Sequence, residues 1–167
     1  MRIGTDALIG IRALLPSDRE PIRRILASTN VFTEEEIVVA IELVDAVLHD
    51  PRQKDYEIFT AVNDTQEVVG YYCIGPTPLT EGTYDLYWIA VATDVHGQGI
   101  GRMLNAHAEE RVRAHGGRLI IANTSSQPKY KNTREFYLHQ GYLESARIKE
   151  YYKPGDDLVI YGKYVSH

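Results

Sequence analysis

The sequence predicts a single α/β domain, residues 1–167, with about seven strands flanked by about four helices. Three observations lead there. The chain has 167 residues, of which 44% are hydrophobic and 25% charged, the size and composition of one globular domain with a substantial core. Its apolar residues switch repeatedly between strand-like runs and helical spacing, in the order strand, helix, helix, three strands, helix, strand, helix, two strands. At the centre lies a strand from Leu86 to Val91, a turn holding Gly97, Gly99 and Gly101, and a helix beginning near Gly99.

Taken in order, residues 8–14 alternate loosely and stop before Pro16, which gives the first strand. Ser17 and Glu20 have the spacing of a capping box for a helix reaching about residue 30. Thr33 and Glu36 form a second box, opening a helix whose apolar stripe is Ile37, Ile41, Val44 and Leu48. Its other face carries Glu35, Glu42, Asp45 and His49, either a solvated surface or an acidic wall beside a binding cleft. Residues 57–62 and 68–74 are strands joined by Asn63-Asp64-Thr65-Gln66, a hairpin composition. Gly75-Pro76-Thr77-Pro78 interrupts the pattern before the central strand, residues 86–91.

The following helix buries Ile100, Leu104, Ala108 and Val112 and ends at Gly116-Gly117. Residues 118–122 form the next strand and run into the polar segment Asn123-Thr124-Ser125-Ser126. Asn132 and Glu135 are placed to cap a short helix carrying Phe136 and Tyr137 and stopping at Gly141. Residues 142–151 and 158–164 are strands around the turn Pro154-Gly155-Asp156-Asp157.

Composition excludes several functions. A net charge of -5 argues against a general nucleic-acid binder, which needs clustered Lys and Arg for phosphates. Cys73 is the only cysteine and sits in an apolar run, so it reads as a buried, inert thiol without disulfide or zinc-ligand spacing; no metal is expected. No run approaches the roughly 20 apolar residues of a membrane span, and no leader pattern opens the chain. A cytoplasmic protein with no membrane partner is the expectation.

The glycine-rich turn carries the chemistry. A helix start leaves amides without intrahelical acceptors and bears partial positive charge, so bare glycines there admit an anion such as phosphate. Two nucleotide motifs do not fit. There is no GxxxxGK[ST], and a dinucleotide-binding GxGxxG would need glycine or alanine where Leu104 stands.

Along nearly its whole length the chain resembles the GNAT superfamily of acyl-CoA-dependent N-acyltransferases. His96-Gly97-Gln98-Gly99-Ile100-Gly101 is similar to the family's [QR]xxGx[GA] pyrophosphate loop, with His96 in place of the usual Gln or Arg. Thr133 to Tyr142 is similar to the family's late helix, with a tyrosine four residues before a Gly-aromatic pair. The resemblance implies a twisted mixed sheet that splays between its fourth and fifth strands, and acetyl-CoA as co-substrate. It places the pantetheine arm along Ile89, Ala90 and Val91 and the pyrophosphate on the amides of Gln98, Gly99, Ile100, Gly101 and Arg102, and it adds Asn132 to the cofactor-binding set.

The implied reaction is direct acetyl transfer to an amine of a small molecule or peptide. The resemblance offers the Val91 N–H for the oxyanion and Tyr137 as general acid or as a hydrogen-bond donor to the departing sulfur. Asp85 is the first candidate for the base, with Glu81, Glu150 and Tyr151 behind it. Thr124, Ser125 and Ser126 are candidates for contacts to cofactor or acceptor, and Lys131 and Arg134 for neutralising phosphate; each has an ordinary structural alternative. The acidic face of the second helix tilts the expected acceptor toward a cationic amine. A homodimer through the late strands is compatible with the resemblance. The alternative function is a non-catalytic acyl-CoA-binding sensor or regulatory domain of the same fold.

Overall fold

A computed structural model of the chain describes residues 8–166; residues 1–7 and 167, included in the one-domain expectation, lie outside the described residues. In chain order the elements are β1 (Gly10–Ala13), α1 (Arg19–Ser28), α2 (Glu34–His49), β2 (Glu57–Val62), β3 (Val68–Pro76), β4 (Thr83–Val91), α3 (Ile100–Ala114), β5 (Leu119–Ser125), α4 (Lys131–His139), β6 (Leu143–Lys153) and β7 (Asp156–Tyr164). Short 3-10 turns at Pro16–Asp18, Thr93–Val95 and Pro128–Tyr130 lead into α1, the glycine-rich loop and α4. The strands form one seven-stranded mixed sheet in the order β1-β2-β3-β4-β5-β7-β6.

The centre of the sheet is covered on both faces, which explains why β3 reads as an unbroken apolar run rather than an alternating one. Tyr71 and Cys73 pack with Ile22, Leu26, Ile41 and Val44 of α1 and α2. Tyr72 and Ile74 point the other way, toward Ile100, Leu104, Ala108 and Val112 of α3 and Tyr137 of α4. The Cys73 thiol is fully buried, and burial raises its pKa well above the ordinary thiol value.

The splay is visible in the register. β4 and β5 are the one parallel pair among the described strands, matched only at Thr83↔Leu119, Tyr84↔Ile120 and Asp85↔Ile121. Beyond Asp85, β4 stays with β3 as far as Val91, whereas β5 stays with β7 as far as Ser125. A bulge in β4 accompanies the divergence: Cys73 faces Trp88 and Ile74 faces Leu86, leaving Tyr87 without a partner on β3.

Several local expectations are corrected. Ser17 and Glu20 form no capping box, because the neighbouring Asp18 carboxylate takes the Leu15 N–H at 2.8 Å and binds Arg12, winding residues 16–18 into a 3-10 turn. The Thr33–Glu36 box forms as expected, with bonds of 3.2 and 2.9 Å. Asn132 does not cap α4, which grows directly out of the turn at Pro128–Tyr130 with no side-chain cap. β4 starts at Thr83 rather than Leu86, and β5 takes in Asn123 to Ser125 by pairing with β7. The last turn shrinks to Pro154-Gly155, since Asp156 already pairs with Lys153. β6 is the outer edge, exposed throughout; its register breaks after Ile148, and Glu150 has φ 54, features that discourage pairing with another edge.

A buried polar network fixes α3 against the end of α4. The Tyr142 hydroxyl donates to Asn105 Oδ1 at 2.9 Å, Asn105 donates to Glu109 at 2.6 Å, and Lys163 reaches Glu109 at 2.9 Å and the Gln140 carbonyl at 2.7 Å. Removing one donor leaves a buried acceptor unmatched. Tyr142→Phe is therefore expected to lower unfolding free energy by about 1–2 kcal/mol, read from urea denaturation; an unchanged midpoint would refute this. Among the described residues no helix is long and apolar enough to cross a membrane.

Candidate active site

The open end of the wedge is a cleft of about 630 Å³. Its floor is Ile89, Ala90 and Val91 of β4, and one wall is the loop and helix start from His96 to Arg102. Lys129, Asn132, Thr133, Phe136 and Gln140 form the opposite wall, and Thr29, Val31 and Phe32, between α1 and α2, close the far side.

The strand supplies hydrogen-bonding groups to the cleft by simple geometry. Ala92 donates to the Val69 carbonyl at 2.8 Å, making that pair a hydrogen-bonded one. Pairs alternate along an antiparallel ladder, so Val91, opposite Gly70, and Ile89, opposite Tyr72, turn their N–H and C=O away from β3. Those groups face the wedge, where β5 has already diverged.

The glycine-rich loop supplies a second set of donors. Gly97 and Gly99 have φ of 82 and 79, a backbone region costly for residues with a Cβ. Space beside both is open, for an added Cβ would meet nothing within 4 Å. Gly99 is the N-cap of α3 and contributes no side-chain cap; the first helical bond runs from Met103 N to its carbonyl. The amides of Ile100, Gly101 and Arg102 are thus left open, an anion site of the kind described for helix starts. Gly101 has a different reason: its Cβ would come within 3.1 Å of the Phe136 ring, so it lets α4 pack onto α3.

Tyr137 lies one layer beneath the cleft wall, 5% exposed. Its ring packs against Phe136, Tyr142 and Tyr161 at centroid distances of 5.7, 5.4 and 5.6 Å. The second motif explains this placement: Gly141, at φ 88, ends α4, and Tyr142 folds back so that its N–H bonds the Tyr137 carbonyl at 3.0 Å. Burial raises the Tyr137 phenol well above its ordinary pKa. Among the described residues, Tyr71 has the one fully buried side-chain hydroxyl without a partner. The Tyr137 hydroxyl makes no hydrogen bond to another described residue either, and Tyr137 itself is not among the residues that line the cleft.

Other expected residues are dispersed. Asp85 is at the last paired position of the wedge, outside the cleft lining, and accepts from Thr77 Oγ1 at 2.6 Å. Tyr87 is close by, its phenol pushed up to about 12 by burial and then by the Asp85 charge. Gln98 is an exposed loop residue outside the lining, whereas the other cofactor candidates, Asn132 included, are in it. Glu81 is in an exposed loop, and Glu150 staples the last hairpin by accepting from Gly155 N at 2.9 Å. Ser125 binds Asp156, and Ser126 accepts from Asp157 N at 2.7 Å. Thr124 is buried, and Tyr151 is exposed on the edge strand.

Arg134 is not free for phosphate, for it donates to the carbonyls of Ser125 and Gln127, each at 2.8 Å. Lys131 lies 3.8 Å from Glu135 and outside the cleft. The cations that do line it are Arg102 and Lys129. The acidic face of α2 does not wall the cleft: Glu35 and Glu42 are exposed, and Asp45 is held by Arg19 at 2.7 Å. That removes the basis for favouring a cationic acceptor.

Sequence reasoning missed Phe32 and Tyr130. Phe32 packs edge-on against Trp88 at 5.2 Å, and the Tyr130 hydroxyl donates to Glu36 at 3.1 Å, tying α2 to the turn before α4. The only local signal was an aromatic residue in a loop.

Comparison with known proteins agrees with this geometry. The model of the acetyltransferase (GNAT) family matches residues 20–142. A solved protein of Desulfovibrio desulfuricans assigned to the GNAT acetyltransferases is 45% identical, with TM-score 0.89 over 95% of this chain and 100% of its own. The ribosomal-protein-S18-alanine N-acetyltransferase of Escherichia coli is 17% identical, with TM-score 0.73 over 96% of each chain. A Salmonella typhimurium protein described as an acetyltransferase, solved with its cofactor acetyl-CoA, is 16% identical, with TM-score 0.73 over 96% of each chain. The last two show likeness of fold alone. No curated protein matches the sequence.

Proposed function

The chain belongs to the acetyltransferase (GNAT) family, and from that premise we propose that it transfers the acetyl group of acetyl-CoA directly to an amine of a small molecule or peptide. The observation that supports this most is the pairing of two donor sets in one cleft: the Ile89 and Val91 edge of β4 and the open amides at the start of α3. An amide-bearing arm fits the first, and a diphosphate fits the second.

Acetyl-CoA supplies a thioester carbonyl that an amine can attack. In this reading the Val91 N–H donates to the carbonyl oxygen as negative charge develops there. The new C–N bond forms as the C–S bond breaks, and the Tyr137 hydroxyl donates a hydrogen bond to the departing sulfur. Complete transfer of the Tyr137 proton would leave a phenolate among apolar rings, and the raised pKa opposes that. Solvent therefore supplies the proton that ends on the thiol. Asp85 takes up the amine proton through water, since it stands outside the cleft lining.

The test is calorimetric titration with acetyl-CoA, using ATP and NAD as controls, followed by an amine screen for thiol release. Selective micromolar-range binding is expected. Gly99→Ala should weaken it about tenfold, because a left-handed alanine costs roughly 1–2 kcal/mol. Failure to bind acetyl-CoA would overturn the reading. Binding without release for any amine would favour a sensor domain.

A further inference from the structure

His96 stands where the matching loop usually has Gln or Arg, and its ring is exposed. One ring atom is engaged: Nε2 lies 2.9 Å from the Val91 carbonyl oxygen. A carbonyl can only accept, so Nε2 must carry the hydrogen, and in the neutral ring Nδ1 is then the bare nitrogen. This carbonyl is one of the two polar groups that Val91 turns into the wedge, away from β3.

Two consequences follow. The first concerns what the strand edge still offers. Ile89 presents both its N–H and its C=O to the cleft, whereas at Val91 the carbonyl already accepts from His96 and the N–H is the open group. The second concerns how the loop is held. From Val91 to His96 the chain passes through the turn Thr93–Val95, and between His96 and α3 there remain only Gly97, Gln98 and Gly99. Two of those three residues are glycines in the left-handed region. Among side-chain bonds of the described residues, His96 to Val91 is the one joining this loop to the end of β4.

We propose that His96 is a positioning residue, donating through Nε2 to the Val91 carbonyl so that the Val91 N–H and the open amides of α3 keep a fixed relation. It touches no reacting atom. The inference rests on the acetyl-transfer reading for its kinetic consequence, but the hydrogen bond itself does not.

The test has two arms on the full chain. In the first, long-range proton–nitrogen NMR of protein labelled with ¹⁵N-histidine, assigned by the signal lost in His96→Gln, reads the tautomer of the neutral His96 ring. The Nε2–H form is expected; an Nδ1–H ring with bare Nε2 cannot make the bond and overturns the proposal, whatever the protein binds. In the second, His96→Ala should raise the acetyl-CoA Kd about threefold and lower kcat by a similar factor, together the roughly tenfold effect of one lost hydrogen bond. His96→Gln, whose side-chain amide can donate to the same carbonyl, should recover most of both losses at unchanged Tm. Equal losses in the two variants, or none in His96→Ala, would overturn the positioning role. Wild-type protein that fails to bind acetyl-CoA would instead overturn the acetyl-transfer reading, leaving the tautomer to decide on the bond.

Discussion

Tyr137→Phe is expected to lower kcat about 100-fold while leaving the KM for acetyl-CoA within about twofold, the pattern of an interaction made only as charge develops on the leaving sulfur. The phenol is buried among Phe136, Tyr142 and Tyr161, and none of these rings needs its hydroxyl. The substitution therefore removes a donor without opening a cavity, and Tm should change little. Burial holds this phenol protonated through and beyond its ordinary range, so its titration cannot set an alkaline fall in rate below about pH 10. Wild type and Tyr137→Phe should accordingly share the same alkaline limb, displaced vertically. Thiol-release kinetics from pH 6 to 10 read both quantities. A Tyr137→Phe enzyme with wild-type kcat, or one in which an alkaline limb disappears, would remove Tyr137 from this role.

How far the sequence led depends on the range of the interactions involved. All seven strands and four helices were legible, because burial imposes a period on each: the stripe Ile100, Leu104, Ala108 and Val112 is buried as its spacing requires. The Thr33–Glu36 box was legible because both partners lie within one turn. The Ser17–Glu20 box failed although its competitor is local: Asp18, between the two, takes the Leu15 amide and the Arg12 guanidinium, and the Ser-to-Glu spacing carries no sign of that preference. The glycine-rich loop disclosed two conformational glycines, but not that Gly101 serves a contact with Phe136 across the α3–α4 interface. Arg134 and Asp45 looked free because their partners, the Ser125 and Gln127 carbonyls and Arg19, lie on other elements. The bond from His96 to Val91 spans five residues, yet only the antiparallel register reveals which way Val91 points its carbonyl.

Asp18→Ala is expected to cost about 3 kcal/mol of stability, and that cost should depend on pH. Asp18 is 1% exposed and accepts from both arms of the Arg12 guanidinium at 2.7 and 3.0 Å and from Leu15 N at 2.8 Å, with Thr60 alongside. Removing the carboxylate leaves a partly buried guanidinium and an amide unmatched, the costly way to break such a pair. Burial pushes the Asp18 carboxyl up, but the bonds from Arg12, Leu15 and Thr60 together with the Arg12 charge outweigh it, and the net pKa is below the ordinary aspartate value. A folded-state pKa below the unfolded one binds fewer protons in the native protein. The stabilisation is therefore complete above the unfolded value near ~3.9 and is lost as pH falls through the folded one. In urea denaturation the gap between wild type and Asp18→Ala should be widest from pH 5 to 7, with Tm lower by roughly 6–12 °C, and should narrow below pH 4. A gap independent of pH would show that Asp18 contributes by packing alone. The effect bears on the site through α1: Ile22, Ile25 and Leu26 seat that helix on the sheet, and its far end leads to Thr29, Val31 and Phe32 at the cleft. Because the damage lies at the opposite end of α1, acetyl-CoA affinity of the folded Asp18→Ala protein should stay within about twofold of wild type at temperatures well below its Tm.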